Sequence, residues 1–191
     1  MKKICILFIM LLLTISTAFA LSKPRWDVRP VKVYIPPNHY YTHLMKNAFL
    51  QWQDKTKSAV WFVFVNENKQ KDAHITVHFV EKNVNCEKEN AIGCTHIQTN
   101  DEDFYVHNDI YIASKTTRNK IGKNGKPEKI EVPISSEQVY RVMLHEIGHA
   151  IGIHGHSLNP NSIMYAYSNN NDNNPQTITE EDIQFMHNVY R

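Results

Sequence analysis

Leu144-His-Glu-Ile-Gly-His-Ala-Ile-Gly-Ile-His-Gly-His-Ser157 packs four histidines, one glutamate and three glycines into fourteen residues. On a helix, residues four apart lie on one face, one turn above the other. His145 and His149 can therefore aim two imidazoles at one ion, and neutral imidazole suits Zn2+ at about 2.0–2.1 Å. Glu146, one step round the helix, can reach a water beside that ion without displacing it, as a general base for hydrolysis must. A surface helix with two histidines by chance would leave the glutamate and the two later histidines as further coincidences.

Two ligands do not complete a catalytic zinc site, which uses three protein donors and keeps one position for water. A closed structural site would need four. Gly152 supplies a way to the third. A glycine accepts the backbone conformation that ends a helix and turns the chain back, so a histidine a few residues on can approach from a new direction. His154 and His156 are both within reach.

His145-Glu-Ile-Gly-His-Ala-Ile-Gly152 and the histidines after it resemble the metzincin zinc signature, HExxHxxGxxH, and most closely its matrixin branch. The branch places its third histidine three residues after the glycine, often followed by serine. This chain has Gly155 there. His156 is the preferred third ligand, because His156-Ser157 keeps the His-Ser pair and Gly155 can absorb an extra residue in the turn. His154 is the alternative. Ser162-Ile-Met-Tyr165 resembles the Met-turn of the family, which makes Met164 the residue expected beneath the imidazoles, where a polarizable thioether fills an uneven surface.

The resemblance implies an α+β, zincin-like fold. Its twisted, mostly parallel sheet packs on two long helices, and a small C-terminal subdomain with a helix lies beyond a zinc cleft. It implies a secreted zinc-dependent endopeptidase in which Glu146 acts as base on a zinc-activated water. The competing reading is a non-catalytic secreted zinc- or peptide-binding module on the same fold. The expected partner is a peptide or protein in extended conformation, paired with an exposed strand, for which 91–99 is the candidate. A pocket for one substrate side chain is expected behind the zinc, its depth set by Leu144, Ala166 and Tyr167. The family's upper sheet often carries a structural zinc and calcium ions, so a structural Ca2+ or a second Zn2+ is a further implication. His96 and His107 are the first contacts to consider, while His74 and His78 read as polar-face residues. His39, His43 and His187 read as surface.

The chain has 191 residues. Its start, with Lys2 and Lys3, an apolar run from Ile4 to Leu13 and Ala18-Phe-Ala20, has the layout of a secretory signal peptide over residues 1–20. The run is short for a bilayer crossing of about 20 residues. Residues 21–191 then suit a single catalytic domain, exported to a periplasm or secreted, with no stable membrane insertion and acting as a monomer. Without Lys2 and Lys3, Lys+Arg falls from 21 to 19 and equals Asp+Glu at 19. A near-neutral chain argues against nucleic acid as the main partner. Cys86 and Cys94 read as a disulfide in an oxidising compartment, the rival being a free thiolate ligand.

Strands are predicted at 31–35, 59–65, 73–80 and 109–113, with a weaker one at 91–99. A helix is predicted over 41–57 from the stripe Met45, Phe49, Trp52. Lys115 to Lys129, polar, basic and broken by Gly122, Gly125 and Pro127, reads as a loop. Ser135 caps the zinc helix with Gln138 three residues on and Ile134 and Val139 as its staple. Thr179 and Asp182 announce a terminal helix in the same way. Between those helices, the Asn-rich stretch 168–176 is expected to be mobile.

Overall fold

The computed structural model describes residues 24–82, 86–87, 91–166 and 176–191. The signal-peptide segment, Tyr167 and the Asn-rich stretch, apart from Gln176, lie outside these residues.

Strand β1 (Val31–Tyr34), helix α1 (Thr42–Lys55), strands β2 (Phe62–Val65), β3 (Ile75–Val80), β4 (Gly93–Thr99) and β5 (Tyr105–Ala113) come first. They are followed by β6 (Lys115–Ile121), β7 (Pro127–Pro133), helix α2 (Ser136–Ala150) and helix α3 (Glu180–Val189). Five strands form one sheet in the order β2-β1-β3-β5-β4. The first four run parallel, and β4 lies antiparallel to β5 at the edge. This is the mostly parallel α+β architecture. Among the described residues no helix is long and apolar enough to cross a membrane.

Strand alternation and the helical stripe meet in one core. Val31, Val33, Ile75, Val77, Ile110 and Ile112 point from the sheet onto α1 and α2 and are fully buried. Met45, Phe49 and Trp52 from α1, and Val139, Met143 and Ile147 from α2, fill the other side. The indole of Trp52 also donates to the Leu144 carbonyl of α2 at 2.8 Å. Helix α2 is thus tied to α1 by a buried hydrogen bond as well as by apolar contact.

The C-terminal end of α2 is closed by several donors at once. A helix leaves its last carbonyls without intrahelical donors. Here Ala150 O accepts from the Trp26 indole and from Asn108 Nδ2, each at 2.9 Å, and Ile151 O accepts from the Tyr190 hydroxyl at 2.8 Å. Gly152 takes φ 133°, its N–H reaches His149 O, and Ile153 N–H reaches Gly148 O at 3.0 Å. That pair of bonds is a Schellman closure. At the other end, Ser135 Oγ accepts from the Gln138 N–H.

One expectation fails. Residues 115–129 are not a loop: β6 and β7 pair antiparallel over seven positions, from Lys115 opposite Pro133 to Ile121 opposite Pro127. The turn is Gly122 to Gly125, with Gly125 at φ 73°. Main-chain hydrogen bonds hold a hairpin whatever its side chains. Both faces here are largely open to solvent, so no apolar alternation advertises it. His39 is not a plain surface residue either, while the polar-face His74 has a main-chain partner. His39 stacks on Phe79 with ring centroids 4.3 Å apart, and His74 Nδ1 accepts from the Lys32 N–H at 3.0 Å.

Candidate active site

His145 and His149 project from one face of α2, and His156 returns to them after the Gly152 turn. One ring nitrogen from each lies within 4.8 Å of the other two. Among the described residues no other group of three or more histidine, cysteine or carboxylate side chains converges in this way. Ring centroids are 4.7 Å apart for His145 and His149, 5.2 Å for His145 and His156, and 5.1 Å for His149 and His156. The structure therefore brings His156 into the group.

Hydrogen bonds orient the rings. His145 Nδ1 donates to Ile163 O at 2.7 Å, and His149 Nδ1 donates to Ile153 O at 2.6 Å. A carbonyl can only accept, so each Nδ1 carries the proton and each Nε2 keeps a lone pair for a metal. The two Nε2 atoms stand 3.1 Å apart. Two nitrogens bound tetrahedrally at about 2.0–2.1 Å are about 3.3 Å apart, so the spacing fits a zinc ion. Burial pushes His149 down to about 3, with the neighbouring His145 adding to the effect, and burial lowers His145 too. Both rings stay neutral at pH 7, the form that ligates metal.

His154 is held elsewhere. Its Nε2 lies 2.7 Å from the Tyr105 hydroxyl and 3.2 Å from Pro24 O. Tyr105 stands on β5, so the sheet rather than the turn decides where this ring goes.

Met164 is 1% exposed and packs directly on α2 at Gly148, between His145 and His149. A Cβ on Gly148 would collide with its sulfur, so only glycine leaves room for the methionine there. The turn is secured by Ser162, whose hydroxyl accepts from Met164 N–H at 2.9 Å and donates to the buried Asp182 carboxylate at 2.8 Å. Asp182 also closes the capping box of α3 with Thr179. Sequence reasoning assigns Gly148 and Ser162 no task of their own. The Thr179-Asp182 spacing points to a helix cap, with nothing to show that the same carboxylate braces the turn under the site.

Glu146 is 6% exposed and borders a cavity of about 750 Å³ that runs between β4 and α2. Its Oε2 accepts from the Thr95 hydroxyl at 2.8 Å. Burial raises the carboxyl to about 7, against the opposing pull of the Thr95 hydrogen bond. Arg141, one turn before His145, also lines the cavity. Its Nη1 donates to Glu137 at 2.6 Å, while its buried Nε has no hydrogen-bond partner among the described residues. Cys86 and Cys94 form a disulfide at the cavity wall beside β4. For the implied further zinc or calcium site, no second group of three histidine, cysteine or carboxylate side chains converges among the described residues. His107 and His78 each face Asp109 instead, and His96 lies against Tyr111.

A mostly parallel sheet over two helices, with three histidines meeting on the second helix and the turn after it, defines a metalloprotease fold. The chain belongs to the matrixin family, whose model matches residues 25–191. Two solved structures of myroilysin are similar to it. One has a TM-score of 0.48 at 14% identity, covering 89% of this chain and 87% of that one. The other has a TM-score of 0.49 at 15% identity, covering 87% and 95%. No curated protein matches the chain.

Proposed function

We propose that the protein is a secreted zinc endopeptidase, with residues 21–191 as its single catalytic domain. The observation that carries this reading is the convergence of His145, His149 and His156 beside the enclosed Glu146 carboxyl, at the floor of a cleft bordered by a sheet edge. Those three histidines would hold the ion through ring nitrogens. A bound zinc supplies Lewis acidity and lowers the pKa of a water in its open position toward about 7.

The protein's residues would do the rest. Glu146 takes the proton of the attacking water and returns it to the amine nitrogen as the peptide bond breaks. Burial keeps this carboxyl close to neutrality, and a neighbouring dication favours its ionised form. An extended peptide adds to the free edge of β4, in main-chain register, and crosses the histidines. Ile163 and Ile153, through their carbonyls, keep the ligand rings from rotating as the substrate docks.

Glu146→Gln tests the reading. The variant should retain zinc at one equivalent and cleave an unstructured peptide about 10²- to 10⁴-fold more slowly, the usual contribution of a general base. Equal cleavage by wild type and variant would remove the enzyme reading and leave a binding module.

A further inference from the structure

We propose that Thr95 is a positioning residue that holds the Glu146 carboxylate for its proton transfers; this rests on the reading of Glu146 as the base. Thr95 stands on β4, opposite Ile110 of β5. Its hydroxyl oxygen is 2.8 Å from Glu146 Oε2 and 2.9 Å from Glu146 O. One side chain on the edge strand thus grips both the main chain and the carboxyl of the same helical residue.

Gly93 completes the grip. It lies two residues before Thr95 and so on the same face of the strand. A Cβ there would come within 2.8 Å of Glu146 Cγ and Oε1 and within 2.5 Å of Val142 Cγ1. The glycine lets the strand close on α2 until the Glu146 side chain is walled on one side and hydrogen-bonded on the other. Cys94, between them on the opposite face, is tied to Cys86, which holds this part of the strand to the preceding segment.

The geometry serves the carboxyl in both of its states. A hydroxyl has one proton and two lone pairs. Facing a carboxylate, Thr95 donates to Oε2. Facing the protonated acid, it turns its proton to Glu146 O and accepts from the acid. The side chain therefore keeps one rotamer through a proton's arrival and departure, which is the preorganisation that efficient transfer needs. Thr95 is also on the strand proposed to pair with substrate, so the peptide docks on the element that sets the base.

The test compares Thr95→Val, of the same shape without the hydroxyl, with Thr95→Ser, which keeps it, both as zinc-loaded protein on one peptide. In Thr95→Val we expect kcat to fall about 10- to 100-fold, the size expected for a hydrogen bond to a charged group. KM should stay within about twofold and zinc at one equivalent. Thr95→Ser should recover to within about threefold of wild type. In a crystal structure of zinc-depleted Thr95→Val, the Glu146 carboxyl should leave the Gly93 wall or spread over several rotamers. An unmoved carboxyl, a wild-type kcat in Thr95→Val, or a Thr95→Ser as slow as Thr95→Val would each overturn the inference. Thr95→Ala gives the same comparison should valine disturb folding. If Glu146→Gln is inactive while Thr95→Val is fast, only this inference falls; if Glu146→Gln cleaves normally, the enzyme reading itself falls.

Discussion

Two regions of the molecule are rich in histidine, and among the described residues only one brings three ring nitrogens together as a single ion would need. On the open face of the sheet, His78 Nε2 lies 2.7 Å and His107 Nε2 3.4 Å from the same Asp109 oxygen. His107 Nδ1 also donates to Ala73 O at 3.1 Å, and His78 stacks on Tyr111 with centroids 4.6 Å apart. A carboxylate sits between these rings and takes up their nitrogens. At the end of α2, among the described residues, no carboxylate lies between the facing nitrogens of His145 and His149. Carbonyls occupy the Nδ1 atoms of His145 and His149, and their Nε2 lone pairs face each other. A count of donors therefore does not make a metal site. What makes one is where each ring is pinned, and from which side.

The largest test of that contrast is metal content. His149→Ala should lose zinc and slow peptide cleavage on the order of 10³-fold or more, because a metal supplies several kcal/mol of charge stabilisation. His156→Ala should also lose zinc. His78→Ala and His154→Ala should keep one equivalent, with rates within about threefold of wild type. Elemental analysis of the four purified variants decides the matter. Zinc lost from His78→Ala would erase the contrast, and zinc lost from His154→Ala alone would reassign the third ligand.

A smaller effect probes the turn that carries His156 to the others. Gly152 has φ 133°, and a Cβ there would meet Val189 Cγ1 at 3.0 Å. Gly152→Ala should cost about 1–3 kcal/mol and lower Tm by several degrees. The matching substitution in the open hairpin turn is Gly125→Ala, at φ 73° with nothing near the added Cβ, and it should cost less. Equal losses in thermal melts of the two variants would mean that neither the φ of 133° nor the packing against α3 sets Gly152 apart.

The smallest effect is the pH dependence of the metal-free protein. His149 is pushed down to about 3 from an ordinary value of 6.5. Between those values the unfolded chain binds more protons, so stability is lost as pH falls from about 6.5 toward 3. Glu146 runs the other way. Its folded value is raised to about 7 from 4.5, so its contribution is present below 4.5 and lost as pH rises to about 7. Metal-free Glu146→Gln should therefore gain on wild type by a few degrees of Tm between about pH 4.5 and 7. A gap in Tm that does not change with pH would mean that Glu146 titrates normally in the fold.

Much of the candidate site is legible in the sequence because it is local. The i, i+4 histidines, the intervening glutamate, the capping residue Ser135 and the terminating Gly152 all act within one helix and its ends. The core strands and the α1 stripe are legible for the same reason, their periods being short. The β6–β7 hairpin is not, since its pairing depends on main-chain bonds and its exposed faces leave no apolar alternation. The tasks of Gly148, Ser162, Asp182 and Thr95 stay hidden because each matters through a partner on another element.

The order of residues alone specifies the helix bearing His145, Glu146 and His149, the turn that ends it, and a second strong cap at Thr179. These follow from the chemistry of side chains a few positions apart. The remainder waits on packing. Tyr105, brought across from the sheet, draws His154 aside, while the chain places His156 beside the other two rings. Thr95 reaches Glu146 across 51 positions of sequence. Contacts of that span arise only when the strands and helices pack, because nothing in the local backbone brings their ends together.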